Sequence, residues 1–101
     1  MTPRQKRFLG VIDRVGENLV VGGVSQRGIV SSITPGQARE FLTDGVLSAL
    51  TARPIYTAYV GFSSIAAVDD VAAWEGETRS VAKVVALRVA GETVARLLVL
   101  T

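Results

Sequence analysis

The sequence predicts a mainly β protein: a small antiparallel β-barrel of six or seven strands, with an N-terminal α-helix and one long inserted loop or short helix. Three observations carry this reading. From Val68 to Leu100, short runs alternate apolar and polar residues and are separated by Glu75-Gly76 and Ala90-Gly91. A period of two is what half-buried strands require, and glycine tolerates the positive φ of a two-residue hairpin turn. The alternation then collapses in Leu97-Leu98-Val99-Leu100, which predicts a final strand covered on both faces. At the other end, Phe8, Val11, Ile12 and Val15 recur at spacings of three and four, one stripe of an amphipathic helix.

Taken in order, Thr2 reads as the N-cap and Pro3 as the first position of a helix spanning residues 1–16 and ending near Gly16. Asn18–Val21 and Val24–Val30 are strands joined by Gly22-Gly23, a strong hairpin signal. Gly28 inside the second run predicts a bend or a close backbone approach. Residues 31–52 break the β pattern: Thr34-Pro35-Gly36 is a stop, Gln37–Leu42 begins like a helix, Asp44-Gly45 interrupts it, and Val46–Leu50 resumes. So long an insertion in a compact domain points to a functional loop or a short helix. Arg53-Pro54 ends it, and Ile55–Val60 is a strand of aromatic and β-branched residues. Four further runs follow: Val68–Trp74, Thr78–Val85, Ala86–Val89 and Thr93–Leu100. Such a set closes most readily into a small barrel or sandwich, which removes exposed strand edges.

Length and composition bound the function. With 101 residues the chain is one domain with a thin core. Yet 49% of it is hydrophobic and only 20% charged, more apolar surface than so small a domain can hide. The remainder predicts contact with a second copy of the chain. Arg27, Arg79, Lys83, Arg88 and Arg96 break every apolar run well short of a membrane span. Gly10, Asp13 and Arg14 interrupt the N-terminal segment, which does not read as a signal peptide. The lack of cysteine excludes disulfides and thiolate metal sites and favours an intracellular compartment; the lack of histidine removes the usual general base and the commonest transition-metal ligand.

The net charge of +2 is uneven. Residues 1–14 hold Arg4, Lys6, Arg7 and Arg14 against Asp13, a net +3, while the other 87 residues hold 7 basic and 8 acidic side chains, a net −1. A pI near 9.5 therefore reflects one short segment and does not describe a nucleic-acid-binding surface. Arg4, Lys6 and Arg7 form a basic helix face, either solvated or turned to nucleic acid or an acidic partner. Trp74 suits core or interface packing, and Tyr56 and Tyr59 fall on opposite faces of one strand, so they make no stacking pair. These six residues are the candidate contacts with a neighbouring subunit or partner. There is no phosphate-binding loop motif, and Asp69-Asp70 offers too few oxygen ligands for Mg²⁺ or Ca²⁺. No catalytic, metal or cofactor constellation emerges, and the chain does not read as an enzyme.

The order of motifs resembles the head-completion proteins of long-tailed bacteriophages, also called head–tail connectors, stoppers or head-closure proteins. The similarity runs through Val15-Gly16-Glu17, Leu19–Val24, Arg27–Val30, Arg53–Val60, Val68–Val71 and Trp74–Val81. It implies a virion protein, assembled in the bacterial host cytoplasm, that forms a homo-oligomeric ring at the head–tail interface. Its neighbours would be the portal or adaptor ring and tail proteins, with packaged double-stranded DNA contacted non-specifically. The ring would close the DNA exit channel and offer the tail its docking surface. By position, the channel loop would fall on Thr34, Pro35, Gly36, Gln37, Arg39, Glu40, Phe41, Leu42, Asp44 and Gly45. An adaptor or tail-terminator ring protein, or a small-barrel nucleic-acid-binding module, are the competing readings.

Overall fold

In a computed structural model, which describes residues 1–33 and 55–101, one helix and six strands are seen: α1 (Pro3–Val15), β1 (Glu17–Val21), β2 (Val24–Ile33), β3 (Ile55–Gly61), β4 (Val71–Trp74), β5 (Glu77–Val89) and β6 (Glu92–Leu100). The strands close into an antiparallel barrel in the order β1-β2-β3-β6-β5-β4. The expected small β-barrel with an N-terminal helix is the fold. Residues 34–54, including every predicted channel-loop position and the question of loop against helix, lie outside the described residues.

Local chemistry accounts for the elements. Thr2 caps α1: its hydroxyl accepts from the Gln5 N–H at 3.2 Å, and the Gln5 side-chain oxygen accepts from the Thr2 N–H at 3.0 Å. This reciprocal pair satisfies two donors that a helix start leaves orphaned. Three two-residue hairpin turns, Gly22-Gly23, Glu75-Gly76 and Ala90-Gly91, hold both central residues at positive φ. That conformation matches the twist of the flanking strands.

Three strand assignments need correction. β2 runs to Ile33, because Ser31, Ser32 and Ile33 still pair with Thr57, Tyr56 and Ile55, and the Ser31 and Thr57 hydroxyls meet at 3.3 Å. β4 begins at Val71 rather than Val68, because Asp69 sits at φ 75° in a turn. This turn is held by the Asp70 N–H on the Ala67 carbonyl and the Ala67 N–H on the Asp70 carboxylate. The runs Thr78–Val85 and Ala86–Val89 are one strand, β5. The register shifts between Val81 and Lys83, so Ala82 is an extra residue that changes which face follows. Val81 faces the interior before it and Val84 after it.

The barrel is filled by Leu19, Val21, Ala58, Val60, Ala72, Trp74, Val81, Leu98 and Leu100. α1 lies on the outer wall across β2, β3 and β6, burying Ile12. Its start is tied to the β5–β6 hairpin, where Thr2 Oγ1 donates to Glu92 Oε1 at 2.6 Å and Gln5 Nε2 to the Thr93 carbonyl at 3.0 Å. Its end is tied by Arg27, which donates to the Asp13 and Gly16 carbonyls and to Asn18 Oδ1. β6 is thereby covered on both faces, as its unbroken apolar run predicts.

Gly28 is the corner of the barrel. β2 pairs with β1 up to Gly28 and with β3 from Gly28 onward, without a break in either register. A Cβ there would stand 2.6 Å from Leu19 Cδ2 and 3.2 Å from the Tyr59 carbonyl oxygen. Neither neighbour has room to yield in a filled core. Gly28→Ala is expected to destabilise the fold by about 1–3 kcal/mol. Urea unfolding checks this: the midpoint should fall with the slope unchanged, and an unmoved midpoint would show that Leu19 repacks freely.

Candidate interaction surface

The basic side chains divide into those that hold the fold and those that face outward. Arg27 ties down the end of α1; Arg88 donates to the Gly91 carbonyl at 2.7 Å inside its own hairpin, and Arg96 Nε to the Phe62 carbonyl at 2.9 Å. Arg4, one of the predicted contact residues, reaches the Val89 carbonyl at 3.4 Å and so helps seat the helix. Lys6 and Arg7, also predicted contacts, are exposed, and so is Arg14. Lys83 and Arg88 on β5 are exposed as well, and α1, with Lys6, Arg7 and Arg14, carries the largest group of exposed cations among the described residues.

The three aromatic contact candidates separate. Trp74 is buried in the barrel interior, and its ring meets Tyr56 edge-on with centroids 5.4 Å apart. Tyr56 is half-buried beside it, whereas Tyr59 points to the outer wall and is exposed. Tyr59 instead lines an apolar cavity of ≈ 320 Å³ between helix and barrel, with Phe8, Val11, Ile12, Ile29, Leu87 and Ala95. The basic helix residues and Tyr59 therefore share one surface, while Trp74 and Tyr56 belong to the end of the barrel interior.

That end holds a residue the sequence reading did not single out. Arg79 stands opposite Ala72 in the β4–β5 register and so points inward with it. Its side chain is only 10% exposed, with the guanidinium carbon 5.2 Å from the Tyr56 ring centroid. One NH2 group bonds Glu77 Oε2 at 3.1 Å, but Glu77 is 46% exposed, and Arg79 Nε is buried without a hydrogen-bond partner among the described residues. The available signal was phase: Arg79 shares the parity of Val81, the interior residue two positions on. An arginine on the inward face of an alternating strand marks a buried cation.

Elsewhere the outer wall is apolar where nothing in the described residues covers it. Ile65 is 78% exposed, Val15 61% and Val71 55%, and Val20 and Val68 are exposed with them. Val20 lies opposite Ala73 across the β1–β4 junction, diagonal to Val71, so Val20 and Val71 share one outward face. β1 and β4 pair only at Val20 and Val21. Beyond those pairs the strands part around a groove of ≈ 360 Å³, lined by Asn18, Leu19, Trp74, Glu75 and Glu77 among others. Among the described residues no group of three carboxylates comes together, and no helix is long and apolar enough to cross a membrane.

No family model, curated protein or solved structure matches this chain.

Arg79 sets two effects against each other. Its ring contact contributes about 0.5–2 kcal/mol and its half-exposed ion pair at most about 1 kcal/mol. Its unpartnered Nε costs about 1–3 kcal/mol. Arg79→Met, which keeps the packing and removes the charge, is expected to change stability by less than about 1 kcal/mol. Arg79→Ala should lose about 1–3 kcal/mol by stripping the Tyr56 face. Paired denaturation curves check this, and a methionine variant as unstable as the alanine one would show that the charge itself is required.

Proposed function

We propose that this chain is a structural subunit of the head-to-tail interface of a long-tailed bacteriophage. It assembles as a ring that closes the DNA exit channel after packaging and offers the tail its docking surface. The observation that carries the reading is the exposed apolar outer wall, with Val20, Val68 and Val71 around one junction and Val11, Val15 and Tyr59 around the helix. Apolar side chains gathered at two places on so small a domain suit repeated contact with identical neighbours. The order of sequence motifs, which resembles the head-completion proteins, supports the same conclusion.

Charge supports it as well. Outside residues 1–14 the chain is nearly neutral, and Arg27, Arg88 and Arg96 are turned to backbone carbonyls. A channel that passes duplex is better lined by weak charge, since a strongly basic wall holds phosphates and retards the strand. The portal or adaptor ring, tail proteins and packaged DNA are the partners of this reading, and the virion is its location.

Sedimentation velocity from micromolar to near-millimolar concentration, with particle images of the same sample, tests the reading. Closed rings and no salt-dependent duplex affinity are expected. A monomer at every concentration, or tight duplex binding that weakens steeply with salt, would instead favour a free-standing nucleic-acid-binding barrel.

A further inference from the structure

Resting on the ring reading, we infer that subunits join head to tail, with the helix face of one copy seated on the β1–β4 junction of the next. The two surfaces lie on opposite walls. Around the closed barrel, the β1–β4 junction is three strands away from the β3–β6 junction in either direction, and α1 crosses β2, β3 and β6. One chain therefore carries two distinct apolar faces pointing apart. A self-complementary twofold contact uses one face and buries only that one; a heterologous contact uses both and repeats.

Their charges match. On α1, Arg4, Arg7, Val11 and Arg14 follow one another at intervals of three, four and three, which sets them along a single ridge. Val11 on that ridge is exposed and borders the apolar cavity beside Tyr59. Arg7 and Arg14 on either side of it are exposed and have no polar tie among the described residues. At the opposite wall, residues 65–78 hold Asp69, Asp70, Glu75 and Glu77; the Arg79 that follows pairs with Glu77 at 3.1 Å, so exposed Asp69 and Glu75 carry the outward negative charge. Glu75 and Glu77 stand at the edge of the β1–β4 groove, and exposed Val68 and Val71 flank the Asp69-Asp70 turn. The result is a basic–apolar ridge on one wall and an acidic–apolar groove on the other.

The occupant of each surface is thus a second copy of this chain. Apolar contact between Val11 and the Val20–Val71 face supplies the attraction, while Arg7 and Arg14 against Glu75 and its neighbours set orientation. Like charges meet if two helix faces or two junctions are brought together, which disfavours the twofold alternatives.

Two variants test this in the full chain. Arg7→Glu with Arg14→Glu disables the helix face, and Val71→Lys with Glu75→Lys disables the junction face; all four positions are exposed. Each variant alone is expected to sediment as a monomer where the wild type assembles, with association weakened roughly tenfold or more. Each still carries one intact face, so mixing the two should yield a 1:1 heterodimer that grows no further. A variant that loses its native circular dichroism is replaced by Val11→Asp on the helix side or Val20→Lys on the junction side. Wild-type assembly with variants that also assemble would overturn this interface and leave the ring reading standing. Monomeric variants that fail to pair on mixing would likewise exclude the head-to-tail contact. A wild type that never assembles would overturn both.

Discussion

Everything in this fold hangs on β6 being buried from two sides. Its inner face, Leu98 and Leu100, completes the barrel interior, while Ala95 and Leu97 on the other face are also buried. It is flanked by β3 and β5, and the helix lies across its outer side. A strand in that position has no polar face to offer over its final residues, so Leu97-Leu98-Val99-Leu100 is continuously apolar. The cost is that both neighbours must present matching phases along its whole length. β5 achieves this with the extra residue Ala82, and the register shift between Leu87 and Arg88 passes over Val94 on β6, which is fully buried with Ala95. The irregularities are thus adjustments that let one strand serve as both barrel stave and helix platform.

Those same adjustments divide what the sequence made legible from what it hid. The helix, its cap, the glycine turns and the doubly covered last strand were all readable, because each depends on residues close together in the chain. The barrel followed from the number of strands and the need to protect their edges. The length of β5 was not readable, because Val84-Val85-Ala86-Leu87 is apolar throughout and alternation cannot be followed across it. Ser31–Ile33 was hidden for a different reason: serines are weak strand formers, and only pairing with Thr57 and its neighbours makes them a strand. Val68–Asp70 erred the other way, since apolar and acidic residues alternate there as in a strand while Asp69 takes a left-handed turn.

The candidate surface was legible in kind but not in arrangement. Excess apolar composition foreshadowed the exposed valines and isoleucine of the outer wall, and the basic helix was visible as a charge imbalance. Trp74 and Tyr59 could not be told apart by residue type, because aromatic side chains serve cores and interfaces equally well. Only the barrel's phase sends Trp74 inward and Tyr59 out. Arg79 was obscured because arginine on a strand is ordinarily a solvated residue. The opposition of helix and β1–β4 junction is a property of strand order, and no local pattern encodes it.

The balance of forces at such a contact constrains how assembly proceeds. Burying a valine fully is worth about 1.5–3 kcal/mol, and the junction offers Val20, Val68 and Val71, each already partly covered. A single contact of this size sits near the lower end of the 4–15 kcal/mol that association costs in lost freedom, so an isolated pair is weak. Closure changes this, because every subunit in a ring holds two contacts while the last one joins without further loss of a free partner. Salt enters at the second order. Charges at the edge of a contact are screened within about 8–10 Å at ordinary ionic strength, so in the proposed contact Arg7, Arg14 and Glu75 would guide approach and orientation more than they would add affinity. An assembly held by valines and aligned by charges tolerates salt in its final state while its rate of formation slows. Binding to duplex through the same arginines would show the reverse, with affinity itself falling as counterions return to the phosphates.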